Sequence, residues 1–357
     1  MEVKRKKIKT GQLSPSKIEG CPVFTPNKLN DNLIKSLSLV GSECLSEDFH
    51  NHQLGKTFEP YFCKFFAGNN SLVEDIADIP IETLYLWYDA KIAKTSQVKF
   101  IVKNAIRFNN LLQEIRNSDA LTINKLIKWN KLALPKKAQY GIRRNKMLVG
   151  NPKKVSYAFY APDKEVLIEL CEDAINFVNS NKTSALNTAL ISMMQFFFIH
   201  PFYDANGRMF RALSIVLLQK EFGLINAFLL NLYLKNINRE GYYFSQKFYR
   251  AGNLESIVNY HKRAIKWANK SALILKTLLD DYLNLTKQKN LNDKNYSQII
   301  VKIKNNTTQE LDTNIFKLHG TKGINAIYIN TALLNVINQF DYYLRFELRA
   351  CMLQNNM

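Results

Sequence analysis

The sequence has no cysteine pair at metal-binding or redox spacing. Its five cysteines, Cys21, Cys44, Cys63, Cys171 and Cys351, are odd in number, widely spaced and without a CxxC. That argues against a disulfide framework or a zinc site and fits a reducing compartment. Long apolar runs are lacking as well. The longest, Ala189 to Ile199, is interrupted by Ser192 and Gln195 and is too short to span a bilayer. Met1 to Lys9 is basic with no apolar stretch behind it, so a secretory signal is not expected. There is no internal repeat and no RGG-like or aromatic-interleaved basic tract.

What is present is a soluble-type composition. Hydrophobic residues make up 46% of 357 residues and charged residues 22%, enough to bury a sizeable core and too apolar for global disorder. The length suits one large domain or a main domain with flanking extensions. Lysine and arginine outnumber acidic residues 49 to 30, for a net charge of +19. The lysines are scattered along the chain, as on a solvated surface. Such a positive field favours an anionic substrate and leaves DNA as a weak partner candidate.

Residues 1–30 are polar, with Pro15, Pro22 and Pro26, and read as a disordered basic tail. Residues 31–80 form an N-terminal extension of unassigned structure. From 81 the pattern turns helical: Ile81, Leu84, Tyr85, Tyr88 and Ile92 recur at three and four, and the style continues through Ile115. Thr122 is the expected N-cap of a further helix. Residues 141–162 break the run, and Met147–Val149 and Val155–Phe159 read as strands around a Gly-Asn-Pro turn. Helices are predicted over 165–179, 184–199, 206–222 with a stop at Gly223, 240–251 and 254–285. The 184–199 segment is apolar all round and therefore central.

That central helix runs into His200-Pro201-Phe202-Tyr203-Asp204-Ala205-Asn206-Gly207-Arg208, then Met209-Phe210-Arg211. Pro201 stops the helix after His200. Asn206 suits the cap of the next helix, and Gly207 allows close approach of a ligand to the backbone. The next helix opens with free N–H groups and a positive dipole end, a phosphate site. Arg208 and Arg211, three apart on that helix, offer forked donors for outer phosphates. Cations are unfavourable in a first helical turn, which points to an anionic partner. Asp204 is a hard oxygen ligand of the type Mg²⁺ uses with phosphates. His200 on the opposite rim can take a proton from a hydroxyl. Phe202 is expected in the core, without a chemical role.

These residues resemble the Fic-family motif, His-Pro-Phe-x-(Asp/Glu)-Gly-Asn-Gly-Arg-x-x-Arg, at every position except Ala205. The resemblance covers about residues 81–285 and implies a mostly α fold: a Fic-type helical bundle with a small β-hairpin flap, plus N- and C-terminal extensions. It implies AMP transfer from Mg-ATP to a Ser, Thr or Tyr hydroxyl of a target protein. His200 would then be the general base and Asp204 the Mg²⁺ ligand. Asn206, Gly207, Arg208 and Arg211 would hold the phosphates, and Tyr242 and Tyr243 would lie near the adenine. The flap residues Leu148, Val149, Tyr157 and Ala158 would bind an extended target segment by strand addition.

Two departures matter. Ala205 stands where most relatives have Gly, and Asp-Ala-Asn also occurs in relatives with other chemistry. A different donor (phosphocholine, UMP or phosphate) is therefore the alternative, and a catalytically silent DNA- or protein-binding protein is the third reading. Ala93 to Phe100 resembles the family's inhibitory helix Ser/Thr-x-x-x-Glu-Gly/Asn. Thr95 falls on its first position, and Lys99 replaces its Glu, so inhibition through that residue is expected to be lost. Residues 286–357 are expected to be a helical extension or a winged-helix-like segment, with Ile324 to Phe346 supplying helices. The expected location is the cytoplasm, or a host cytosol if the chain is an injected effector.

Overall fold

The computed structural model describes residues 9–15, 21–39, 64–66, 82, 85–90, 92, 96–150, 158–180, 182–286, 300–304, 311, 316–322 and 325–355. In order these form β1 (Gly11–Ser14), β2 (Val23–Pro26), α1 (Asp31–Leu37), a π-helical turn at Leu86–Ala90, α2 (Ser96–Arg116) and α3 (Ile123–Ala133). Then come β3 (Leu148–Val149), β4 (Phe159–Tyr160), α4 (Lys164–Asn179), α5 (Ala185–Ile199) and α6 (Asn206–Leu232). A second π-helical turn (Tyr233–Ile237), α7 (Arg239–Arg250), α8 (Leu254–Thr286), β5 (Ile300–Lys304), β6 (Phe316–Lys322), β7 (Asn325–Asn330) and α9 (Thr331–Asn355) complete the chain. The fold is mostly α, as expected.

The centre is α5, thirteen of whose fifteen residues are buried. It packs between α4 and α6 and against β2, while α2 covers α6 and α3. Its N-terminus is set by Ser184, whose hydroxyl accepts from the Asn187 amide at 3.3 Å. Thr122 caps α3 in the same way, accepting from Lys125 N at 3.2 Å. The 206–232 helix bends where a stop was predicted: Gly223 has φ 76° and ψ 161°, a conformation without penalty only for glycine. Leu224 to Leu232 then resume the helix. This helix is long and apolar enough to cross a membrane, but 78% of its apolar window is buried inside the protein, as a core helix requires.

The N-terminal residues correct the expectation of a disordered tail. β1 and β2 form an antiparallel hairpin, Gly11↔Pro26 to Ser14↔Val23. β2 then pairs in parallel with β4 through Val23↔Tyr160, making the sheet β1-β2-β4-β3. Phe24 is wholly buried among Phe159, Phe198 and Tyr249. Polar groups inside the bundle complete the docking. Gln195 Nε2 donates to Asn27 O at 2.8 Å, and Asn187 bonds both backbone groups of Leu39, accepting at 2.8 Å and donating at 3.2 Å. Leu29 N donates to Asp173 at 2.8 Å, and Thr10 Oγ1 to Tyr249 O at 2.7 Å. Four-residue strands carry no period long enough to read, and the groups that dock the hairpin on the bundle lie more than a hundred residues away.

The C-terminal segment also departs from expectation. Its described part is β-β-β-α: α9 supplies the expected helix from Thr331 onward, but Asn325–Asn330 is a strand and two further strands precede it. The strands form an antiparallel sheet β5-β7-β6. α9 packs on α8, with Lys270 and Trp267 both reaching Glu347, at 3.1 and 3.3 Å. Cys21 and Cys171 are buried and outside any disulfide, and burial pushes the Cys171 thiol up to about 12, which disfavours it as a nucleophile. Cys44 and Cys63 lie outside the described residues.

His261 is fully buried on α8, and burial alone pulls its imidazole down to about 4. The unfolded chain therefore takes up a proton near pH 6.5 that the folded protein refuses. This contribution to stability is complete above pH 6.5 and is lost as pH falls towards 4. Urea unfolding at pH 7 and pH 4.5 should show the folded state losing about 2 kcal/mol through this residue, and His261→Asn should remove that part of the pH slope.

Candidate functional site

The site is built where α5 ends and α6 begins. α5 terminates at His200, which adopts the left-handed conformation (φ 47°, ψ 60°) while its N–H still donates to Phe196 O at 2.9 Å. This unusual backbone is held by Arg143, only 1% exposed. Its guanidinium donates to His200 O at 2.8 Å, Ile199 O at 3.4 Å, Asn145 O at 2.9 Å and Pro162 O at 2.5 Å. Its own N–H donates to Pro201 O at 2.9 Å. The negative end of the α5 dipole and four carbonyls together replace the water this charge has lost. Burial lowers the guanidinium's pKa.

The loop between the helices is equally constrained. Phe202 is fully buried beside Phe210, as expected of a core residue. Asn206 does not cap α6 with its side chain. Its amide spans the loop instead, accepting from Phe202 N at 3.0 Å and donating to Phe202 O at 2.8 Å. Asn130 on α3, fully buried, donates to Asp204 O at 2.8 Å and accepts from Gly141 N at 3.1 Å. Ala205 precedes α6 in the left-handed conformation (φ 66°) and makes no side-chain cap bond. The opening N–H groups of α6 are thus left to face a ligand.

A cavity of about 320 Å³ lies against this helix end. Its lining brings together His200, Asp204, Asn206, Gly207, Arg208 and Arg211, with Tyr242 and Tyr243 from α7 and Leu148 and Val149 from the flap. Arg208 is nearly buried, donating to Asp204 Oδ2 at 3.1 Å and to Ala133 O at 3.1 Å. The other carboxylate oxygen of Asp204 accepts from Ala205 N. A Cβ on Gly207 would stand 2.8 Å from Arg211 Nη1, so the glycine makes room for that guanidinium. Tyr242 is packed against Phe197, Tyr260 and Tyr243, and burial raises its pKa. Burial, opposed by a backbone hydrogen bond at Phe197, pulls the His200 imidazole down to about 4. The ring is neutral at physiological pH, as a base must be.

Not every expected residue joins the cavity. Ala158 is buried and does not line the cavity; Tyr157 lies outside the described residues. β3 is the outer strand of its sheet, paired with β4 through Leu148↔Tyr160 and Val149↔Phe159. Thr95 lies outside the described residues, and Lys99 is exposed in the first turn of α2, away from the cavity lining. Arg143 and Asn130 were missed because nothing local distinguishes them: one follows a glycine in an irregular stretch, the other sits on a helix face like any packed residue.

Two substitutions test the clamp and the loop. Arg143→Lys keeps the charge but loses the fork that spans four carbonyls, and should lower unfolding free energy by roughly 3 kcal/mol in urea titration. Ala205→Gly removes a left-handed alanine while loosening the unfolded chain, two effects of about 1 kcal/mol and opposite sign, so stability should hardly change. A mid-helix control such as Ala212→Gly should lose about 1 kcal/mol or more.

Residues 120–218 match the model of the Fic/DOC family, whose members are generally transferases. No curated protein matches the chain. Among solved structures, a Fic family protein from Desulfovibrio desulfuricans G20 aligns at 15% identity and TM-score 0.48, over 84% of this chain and 88% of its own. A segment of Fic-1 from C. elegans aligns at 17% identity and TM-score 0.45, over 68% and 69%. The match by family model spans α3, the flap, α4, α5, the loop and the first half of α6, and over this stretch the chain is similar to the Fic/DOC family.

Proposed function

We propose that this Fic-type transferase moves AMP from Mg-ATP to a hydroxyl of a target protein. The observation that carries the reading is the uncapped N-terminus of α6 opening into a cavity shared by His200, Arg208, Arg211 and two tyrosines. Backbone N–H groups of Asn206, Gly207 and Arg208 suit the α- and β-phosphates, and Arg211 suits the outer charge. The Tyr242 and Tyr243 rings offer an apolar wall for a base. An extended target segment adding to the free edge of β3 would bring its hydroxyl towards the neutral His200.

In the chemical step His200 accepts the hydroxyl proton as the oxygen bonds to the α-phosphorus, and the bond to pyrophosphate breaks. The chain's contribution is position and fixed charge. Among the described residues no three His, Cys, Asp or Glu side chains cluster as a metal cage. The donor set fits magnesium nonetheless, because Asp204 is an exposed carboxylate at the cavity, and Mg²⁺ takes one or two carboxylates plus substrate oxygens. When bound there it would supply charge neutralisation on the phosphates. Asp204 would then exchange part of its hold on Arg208 for the ion.

Incubation with Mg²⁺ and ATP labelled at the α- or the γ-phosphate tests the reading. Label from the α position only, lost at least a hundredfold in His200→Ala, is the expected result. Transfer from the γ position would show phosphoryl transfer instead. Single-turnover rates should hold through neutral pH and fall only as pH drops towards 4, because protonation removes the base. A limb near 6.5 would contradict the buried, depressed imidazole.

A further inference from the structure

A second recess adjoins the first, about 750 Å³ and open to solvent, and the two share Tyr203. Its walls are the 139–144 segment and the start of α4. They are anchored. Gly141 hangs on Asn130, Ile142 bridges Phe202, and Arg144 N donates to the Tyr203 hydroxyl at 2.9 Å. The recess is therefore a fixed surface one residue from Asp204.

Its charge is one-sided. Arg144 and Lys164 line it, and exposed Lys131 lies against the lining residue Tyr140. Lys131 Nζ lies 4.9 Å over the ring of Tyr140, which is 48% exposed. The acidic residue in the lining, Glu165, is met by Lys164 at 3.9 Å. Among the described residues Lys131, Lys136, Lys137 and Arg144 have no carboxylate within salt-bridge distance. An exposed aromatic among unmatched cations suits a partner that brings carboxylates and some apolar surface. Residues 144–147 run from this recess directly into β3, the free edge of the flap sheet.

We propose that the recess is a docking site for an acidic stretch of the target polypeptide, next to the hydroxyl to be modified. The proposal rests on the strand-addition reading above and adds the class of sequence selected. A segment lying along β3 leaves it at Arg144 and enters the recess. Its Asp or Glu side chains there meet Arg144, Lys131 and Lys164, and an apolar residue meets Tyr140.

The test is binding to the full chain, so it does not depend on catalysis. Fluorescent peptides carrying a central Ser or Tyr in a β-prone segment, flanked by acidic, neutral or basic residues, are measured by anisotropy at low and high salt. The acidic flank should bind roughly tenfold tighter than the neutral one at low salt, and the advantage should shrink as salt rises. Arg144→Glu with Lys131→Glu should abolish the advantage and favour the basic flank. Lys220→Glu with Lys266→Glu, which changes net charge equally at exposed sites elsewhere, should preserve it. Equal binding of all flanks, or equal loss in both double variants, would overturn the proposal. Failure of α-label transfer with acidic-flank binding intact would instead count against the adenylyl-transfer reading alone.

Discussion

The geometry of the site depends on one buried guanidinium. Arg143 lies at the negative end of the most buried helix, and its fork meets carbonyls that no water can reach. A helix ending inside a protein leaves several acceptors without partners, and here a residue distant in sequence supplies the donors in one rigid plane. With the last carbonyls fixed, the chain can turn sharply at His200 in a conformation that side chains usually avoid. The imidazole is thereby presented to the cavity with its direction set by the backbone.

The opposite helix end is treated in the reverse way. Side chains that might have satisfied the first N–H groups of α6 are all committed elsewhere: Asn206 to Phe202, Asp204 to Arg208 and Ala205 N. Ala205, in the capping position, has no polar atom to give. One helix terminus is saturated by protein and the next is left for a ligand, a few residues apart. Two arginines near a positive dipole end are tolerated because one is paired with Asp204 and the pair of them face the space where an anion would sit.

Much of this was readable from residue order. The 3.6-residue period of α2 to α8, the cap Thr122, the glycine break at 223 and the grouping of His200, Asp204, Gly207, Arg208 and Arg211 all follow from local chemistry. Asn206 shows where local reading stops: its type suits a helix cap, but the tight loop behind it offers two backbone groups that hold its amide more firmly. Arg143 and Asn130 act across tens of residues, so their roles exist only once the chain is folded. β1 and β2 are the extreme case. Four-residue strands cannot announce themselves, and their partners Tyr160 and Tyr249 are far along the chain.

The parallel pairing of β2 with β4 has a consequence for how the molecule is made. The strand that flanks the flap on its inner side is made well before Tyr160, the β4 residue it pairs with. Its anchors on α5 and α7, Gln195 and Tyr249, follow later still. Closing loops of this length is slow and entropically costly. Until then β1 and β2 can pair only with each other. The sheet beside the cavity is finished only when most of the bundle has already formed.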